Sequence, residues 1–157
     1  MNAVFSAPLA ADVDILNGAI SLEQQAQWTY AAAAKSGLLS ADVVSVATAI
    51  VDQHKQHEQV LAAAVTKLGG TPTTAKASYD LPSLASQNDV LKYALKLETQ
   101  AANAYFGAFT QLSDAALQQA GISIMNDEVQ HVVVLRSALG LDPVPTSFMP
   151  LKDDSAS

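Results

Sequence analysis

The chain has 157 residues, no cysteine and a formal charge of −7, with pI near 4.6; 50% of its residues are hydrophobic but only 6% are aromatic. That is one domain's worth of chain, and its Ala-rich, aromatic-poor composition suits close-packed helices better than sheets. Without cysteine there is no disulfide, thiol chemistry or Cys-ligated zinc, and an acidic chain with no Lys/Arg cluster argues against nucleic acid or an anionic membrane surface as partner.

Residues 1–11 form an N-terminal extension. They carry no basic residue, the first Lys being Lys35, so an intact signal peptide is not expected. The small residues at alternate positions in Phe5-Ser-Ala-Pro-Leu-Ala-Ala11 nevertheless resemble what processing leaves behind. Localisation stays open: cytoplasmic by default, with an exported, processed form compatible. No apolar run approaches the roughly 20 residues that span a bilayer.

Residues 12–140 read as four helices. Asp12 or Asp14 caps the first, which runs to Lys35 or Ser36 and stops at Gly37; its inward stripe is Leu16, Ala19, Glu23, Ala26, Tyr30, Ala33. Ser40 caps the second, which reaches Leu68 before Gly69-Gly70. Its stripe is Val43, Ala47, Ile50, His54, His57, Leu61, Ala64, Leu68, with Gln53, Lys55, Gln56 and Gln59 on outer faces and Glu58 turned toward solvent. From about residue 69 to 88 the periodicity stops, around Pro72 and Pro82. So long a link inside one domain has a structural reason if it must cross a bundle from end to end.

Asn88 is expected to cap the third helix, ending near Gln111, with the stripe Leu91, Ala94, Glu98, Ala101, Tyr105, Ala108, Leu112. Ser113 is expected to cap the fourth, whose stripe Leu117, Gly121, Ile124, Glu128, His131, Leu135, Ala138 ends at Gly140. Residues 141–157 form a tail read as a surface strap that becomes disordered at its acidic end.

The second pair of helices repeats the first. A shift of 75 residues superposes Glu23 on Glu98 and Tyr30 on Tyr105; a shift of 74 superposes His54 on Glu128 and His57 on His131. The fold class is therefore all-α: two helical hairpins of one design, joined by a crossover into a pseudo-twofold four-helix bundle. Residues three or four apart share a helix face, so Glu23, Glu98, His54/His57 and Glu128/His131 converge on one level of the core. Three of the chain's four glutamates and all three histidines lie on these stripes. Two carboxylates about 4 Å apart repel by roughly 4 kcal/mol even at an effective dielectric of 20. A cation or protons must sit among them.

A Glu from each of two helices plus a Glu-x-x-His from each of the others is the two-metal carboxylate arrangement of ferritin-like proteins, and residues 12–140 resemble that superfamily, in particular its small bacterial ferritin-like domain proteins. The resemblance implies that Glu23, Glu98, Glu128, His57 and His131 are metal ligands, that Tyr30 and Tyr105 stand beside the metal, and that Asp127 orients a histidine across the bundle. His54 departs from the pattern: it stands where the family has a bridging glutamate. With one carboxylate fewer the site is expected to hold one or two divalent ions, iron or manganese before zinc.

The resemblance implies a redox metalloprotein reacting with a small oxidant, dioxygen or peroxide. The alternatives are a non-catalytic or vestigial metal-binding bundle, or a metal-free, stress-related interaction protein. No nucleic acid or membrane is expected as partner. A homodimer stays compatible; cage assembly like that of ferritins is not indicated, since no additional short helix is identifiable after the fourth.

Overall fold

The computed structural model describes residues 7–153, which form four helices and, among the described residues, no strand. They are α1 (Ala7–Lys35), α2 (Ala41–Lys67), α3 (Gln87–Phe109) and α4 (Ala115–Ala138). α1 packs chiefly on α2 and α3 on α4, making two hairpins; α1 against α3 and, least closely, α2 against α4 complete the bundle. The backbone N–H of Ser40 donates to Gln87 Oε1 (2.8 Å), so α2 and α3 start at the same end. The link between them must therefore return along the whole bundle.

That link is fastened to α1. Asn17 uses both ends of its amide, donating to the Thr71 carbonyl and accepting from the Thr73 N–H, while Gln24 donates to the Thr73 carbonyl and Trp28 packs on Tyr79. The C-terminal strap is held likewise, by paired hydrogen bonds of the Asn103 amide with the backbone of Leu151. The acidic end of the tail, expected to be disordered, runs outside the described residues, as do residues 1–6 of the N-terminal extension. Residues 7–11 of that extension are part of α1.

Helix ends differ from the expectation in three places. Asp12 does not cap α1: it lies inside the helix, buried, and accepts from both the N–H and the hydroxyl of Ser113. Ser113 is thereby committed, and Asp114 caps α4 instead, accepting from Ala116 and Leu117. Ser86, not Asn88, caps α3, accepting from the Asp89 N–H while Asp89 accepts from Ser86 and Ala85. Gly37, Gly69 and Gly140 do end their helices with positive φ.

Two apolar clusters fill the bundle. One gathers Leu16, Ile20, Leu61, Val65, Tyr105, Phe109 and Ile124; the other gathers Ala26, Tyr30, Ile50, Leu91, Leu95, Val132 and Leu135. Glu23, His54, Glu98, Glu128 and His131, all buried, belong to neither. Glu23 precedes Ala26 and Tyr30 but follows Leu16 and Ile20 on the same helix, which places this polar layer between the clusters.

Candidate metal centre

Each member of the polar layer comes from the middle of a long helix, so its position is fixed by packing on both sides rather than by a loop. Their ligand atoms form two overlapping groups, Glu23/His54/His57/Glu128 and His54/Glu98/Glu128/His131, with all atoms of a group within 4.8 Å of one another. All six residues predicted from the sequence are thus brought together. His54 and Glu128, related by the 74-residue shift, are shared by both groups.

The outer nitrogens of two histidines are anchored. His57 Nε2 lies 3.2 Å from Asp127 Oδ2, and His131 Nε2 lies 3.0 Å from Gln53 Oε1. Both partners are acceptors, so each Nε2 keeps its proton and each Nδ1 is the nitrogen that becomes a lone-pair donor when the ring is neutral. His131 Nδ1 is 3.3 Å from both Glu98 and Glu128. His57 Nδ1 stands 3.2 Å from Glu128 Oε1, yet both atoms are buried without a hydrogen bond. Inner nitrogens that all face carboxylate oxygens suit a metal ion that displaces their protons, and the donor set, carboxylate plus imidazole, suits iron, manganese or zinc.

Gln53 and Glu58 are expected from periodicity to face outward, and neither does. Gln53 reaches the His131 ring, and Glu58 is half-buried, accepting from Gln24 (2.8 Å) and Gln27 (2.6 Å) of α1. Glu58 therefore ties the first hairpin together outside the cluster. A signal for Gln53 exists in the repeat: a shift of 74 places it on Asp127, so each hairpin sends one side chain to the histidine of the other.

The tyrosines break the symmetry. Tyr105 donates its hydroxyl to Glu23 Oε1. Tyr30, its counterpart, is buried beside the His54 ring at 5.8 Å between centroids, and its hydroxyl makes no hydrogen bond among the described residues. Tyr30 also lines an apolar cavity of about 360 Å³ with Ala33, Ala47, Ile50, Leu91 and Leu135, and so stands between that cavity and the His54 ring.

Charges compete sharply here. Burial would lower His54, but hydrogen bonds to Glu23 and Glu98 and the nearby negative charge outweigh it and push His54 up to about 11. Against the same opposition from burial, Glu128 and its neighbours raise His57 and His131 to about 9 each. Burial pushes Glu128 up to about 7 in spite of the opposing pull of the His131 and His57 rings beside it. For Glu23 and Glu98 burial acts upward too, but the histidines win and hold both below the ordinary carboxylate value. Burial, then the facing glutamates, raise Tyr30 and Tyr105 well above an ordinary phenol.

Comparison with known proteins agrees with this architecture. Residues 11–148 match the family model described as "Ferritin-like domain". Among solved structures, a conserved hypothetical protein from Mycobacterium tuberculosis superposes with TM-score 0.79 at 20% identity, over 91% of this chain and 100% of that one. A ferritin-like, diiron-carboxylate protein from Bacillus anthracis gives 0.74 at 20% identity over 85% and 99%, and the Desulfovibrio desulfuricans bacterioferritin, solved with its diiron site in different catalytic states, gives 0.78 at 19% over 83% and 79%. No curated protein sequence matches the chain.

Proposed function

The chain belongs to the ferritin-like domain family, and from that premise we propose that it is a redox metalloprotein whose buried cluster holds divalent iron, with manganese as the substitute, and exposes it to dioxygen or peroxide. One observation carries the reading: Asp127 and Gln53 fix the His57 and His131 rings so that both Nδ1 atoms face carboxylate oxygens across a dry interior. The bacterioferritin and diiron-carboxylate relatives point the same way. When bound, ferrous iron would supply one electron per ion, so reducing one peroxide to two waters, which takes two electrons and two protons, would draw on two ferrous ions, held together or in succession.

The protein's own contribution is positional. Glu98 and Glu128 offset the charge of the ion, and the helices on which they sit hold them at full burial. Tyr105 fixes the orientation of the Glu23 carboxylate by donating its hydroxyl to one of its oxygens. The two apolar clusters exclude water from the layer between them. Protein purified without chelator or nickel, analysed for metal, loaded with ferrous iron anaerobically and mixed with peroxide should carry iron and show an absorbance change that Glu128→Ala abolishes. Bound zinc with no such change would replace this reading with a non-catalytic metal bundle.

A further inference from the structure

Resting on the reading that the cluster holds a metal, we infer that it is a one-ion site: His54 confines the ion to the half formed with Glu98, Glu128 and His131, and Glu23 serves as the acceptor that orients the His54 ring.

Follow the protons around Glu23. A carboxylate only accepts, and both of its oxygens are engaged: Oε1 by the Tyr105 hydroxyl and Oε2 by His54 Nδ1 at 2.7 Å. The second contact requires a proton on Nδ1. A neutral His54 ring then presents a lone pair at Nε2, and this atom lies 3.3 Å from Glu98 Oε1. In the same half, Gln53 holds one proton of His131 on Nε2, so Nδ1, 3.3 Å from Glu98 Oε2 and Glu128 Oε2, is the nitrogen that becomes a donor when the ring is neutral. Four ligand atoms, His54 Nε2, a Glu98 oxygen, a Glu128 oxygen and His131 Nδ1, thus meet where one ion can take the place of the protons on the two inner nitrogens, and all four residues are buried. Two negative charges match one divalent ion.

The other half is poorer. Here the uncommitted ligand atoms are His57 Nδ1 and Glu128 Oε1, 3.2 Å apart; Glu23 Oε2 stands 3.4 Å from His57 Nδ1 but already accepts from His54, and the His57 side chain is 13% exposed. Two uncommitted donors and one shared with a proton fall short of the four that close a tetrahedral site. The His54 ring cannot repair this by serving two ions at once. With bonds of about 2.1 Å, ions on its two nitrogens would stand about 6 Å apart. A pair bridged in the ordinary two-metal way lies only about 3.5–4 Å apart. Glu128 and His54 therefore cannot both bridge one pair.

The test counts ions. Protein stripped with chelator and reloaded with Mn(II) should bind one ion per chain by elemental analysis, with the resolved six-line resonance of an isolated ion. Glu23→Gln, whose amide oxygen still accepts from His54, and His57→Gln should each retain that ion. Glu98→Gln and His131→Gln should weaken its binding by 100-fold or more, and His54→Glu, supplying the fourth carboxylate, should raise the count to two. Two ions per wild-type chain with a coupled spectrum, or retention in Glu98→Gln with loss in Glu23→Gln, overturns the one-ion assignment while leaving the metalloprotein reading intact. A folded wild-type chain that takes up no ion overturns both. The wild-type count needs no variant, and far-UV circular dichroism confirms the fold of each variant used.

Discussion

Gln53 on α2 and Asp127 on α4 stand at equivalent points of the repeat, and each takes the outer nitrogen of the histidine on the opposite helix. These contacts set which nitrogen of each ring faces the cluster, and they tie α2 to α4, the loosest of the four helix pairs that pack together.

Gln53→Ala is accordingly expected to lower metal affinity by about 10- to 100-fold, the usual cost of losing such a partner. Asp127→Ala, whose partner His57 lies outside the one-ion half, should change it much less. Competition against a chromophoric chelator measures both; an unchanged affinity in Gln53→Ala would mean that the His131 ring needs no outer anchor.

Stability should depend on pH differently with and without metal. His57 and His131 are raised from 6.5 to about 9 and His54 to about 11, so each contributes stability that is whole below about pH 6.5 and fades as pH rises through those values. Glu128, raised from 4.5 to about 7, acts in the same sense at lower pH; Glu23 and Glu98, held low, contribute above 4.5 and lose their share only in acid. The stripped protein should therefore melt at progressively lower temperature from pH 6.5 to 9. Ions bind deprotonated ligands, so the gap between loaded and stripped melting temperatures should widen over the same range. Melting curves in chelator and in Mn(II) at three pH values check this, and parallel trends would show that protons and metal do not compete for the cluster.

Glu58→Ala separates the hairpin tie from the cluster. It removes the acceptor of Gln24 and Gln27, a loss of about 1 kcal/mol per hydrogen bond. The melting temperature should fall by a few degrees while the ion count stays unchanged. Glu128→Ala should do the reverse in kind, emptying the site.

The side chains of the cluster were legible in the sequence because each interrupts an apolar stripe at a helical step, and because the repeat aligns Glu23 with Glu98 and His57 with His131. Gln53 was not, since a residue adjacent to His54 sits about 100° off the stripe and periodicity assigns it to the outside. The misplaced helix starts have a different origin. Ser113 and Asp114 are both good caps, and local propensity cannot rank them. The choice is made by Asp12, 101 residues away, which claims Ser113. Nothing local to Asp12 shows that an acid ahead of an apolar stripe is a buried acceptor and not the cap.

Two glycine substitutions of identical chemistry should have opposite effects. Gly107 lies on the exposed face of α3, where an added Cβ would meet nothing within 4 Å, so Gly107→Ala should stabilise the helix by up to about 1 kcal/mol. Gly121 is buried where α4 meets α3, and a Cβ there would stand 2.0 Å from the Phe109 ring. That ring stacks on Tyr105 at 4.9 Å, and Tyr105 holds Glu23. Gly121→Ala must displace Phe109, a strain of about 1–3 kcal/mol that exceeds the propensity gain. The displacement passes through the stack to the hydroxyl on Glu23, so metal affinity should fall along with the melting temperature. Gly107→Ala should leave affinity unchanged. A Gly121→Ala variant as stable as the native chain would show that the approach of α4 to Phe109 is slack, and that the Tyr105 to Glu23 contact is not held from behind.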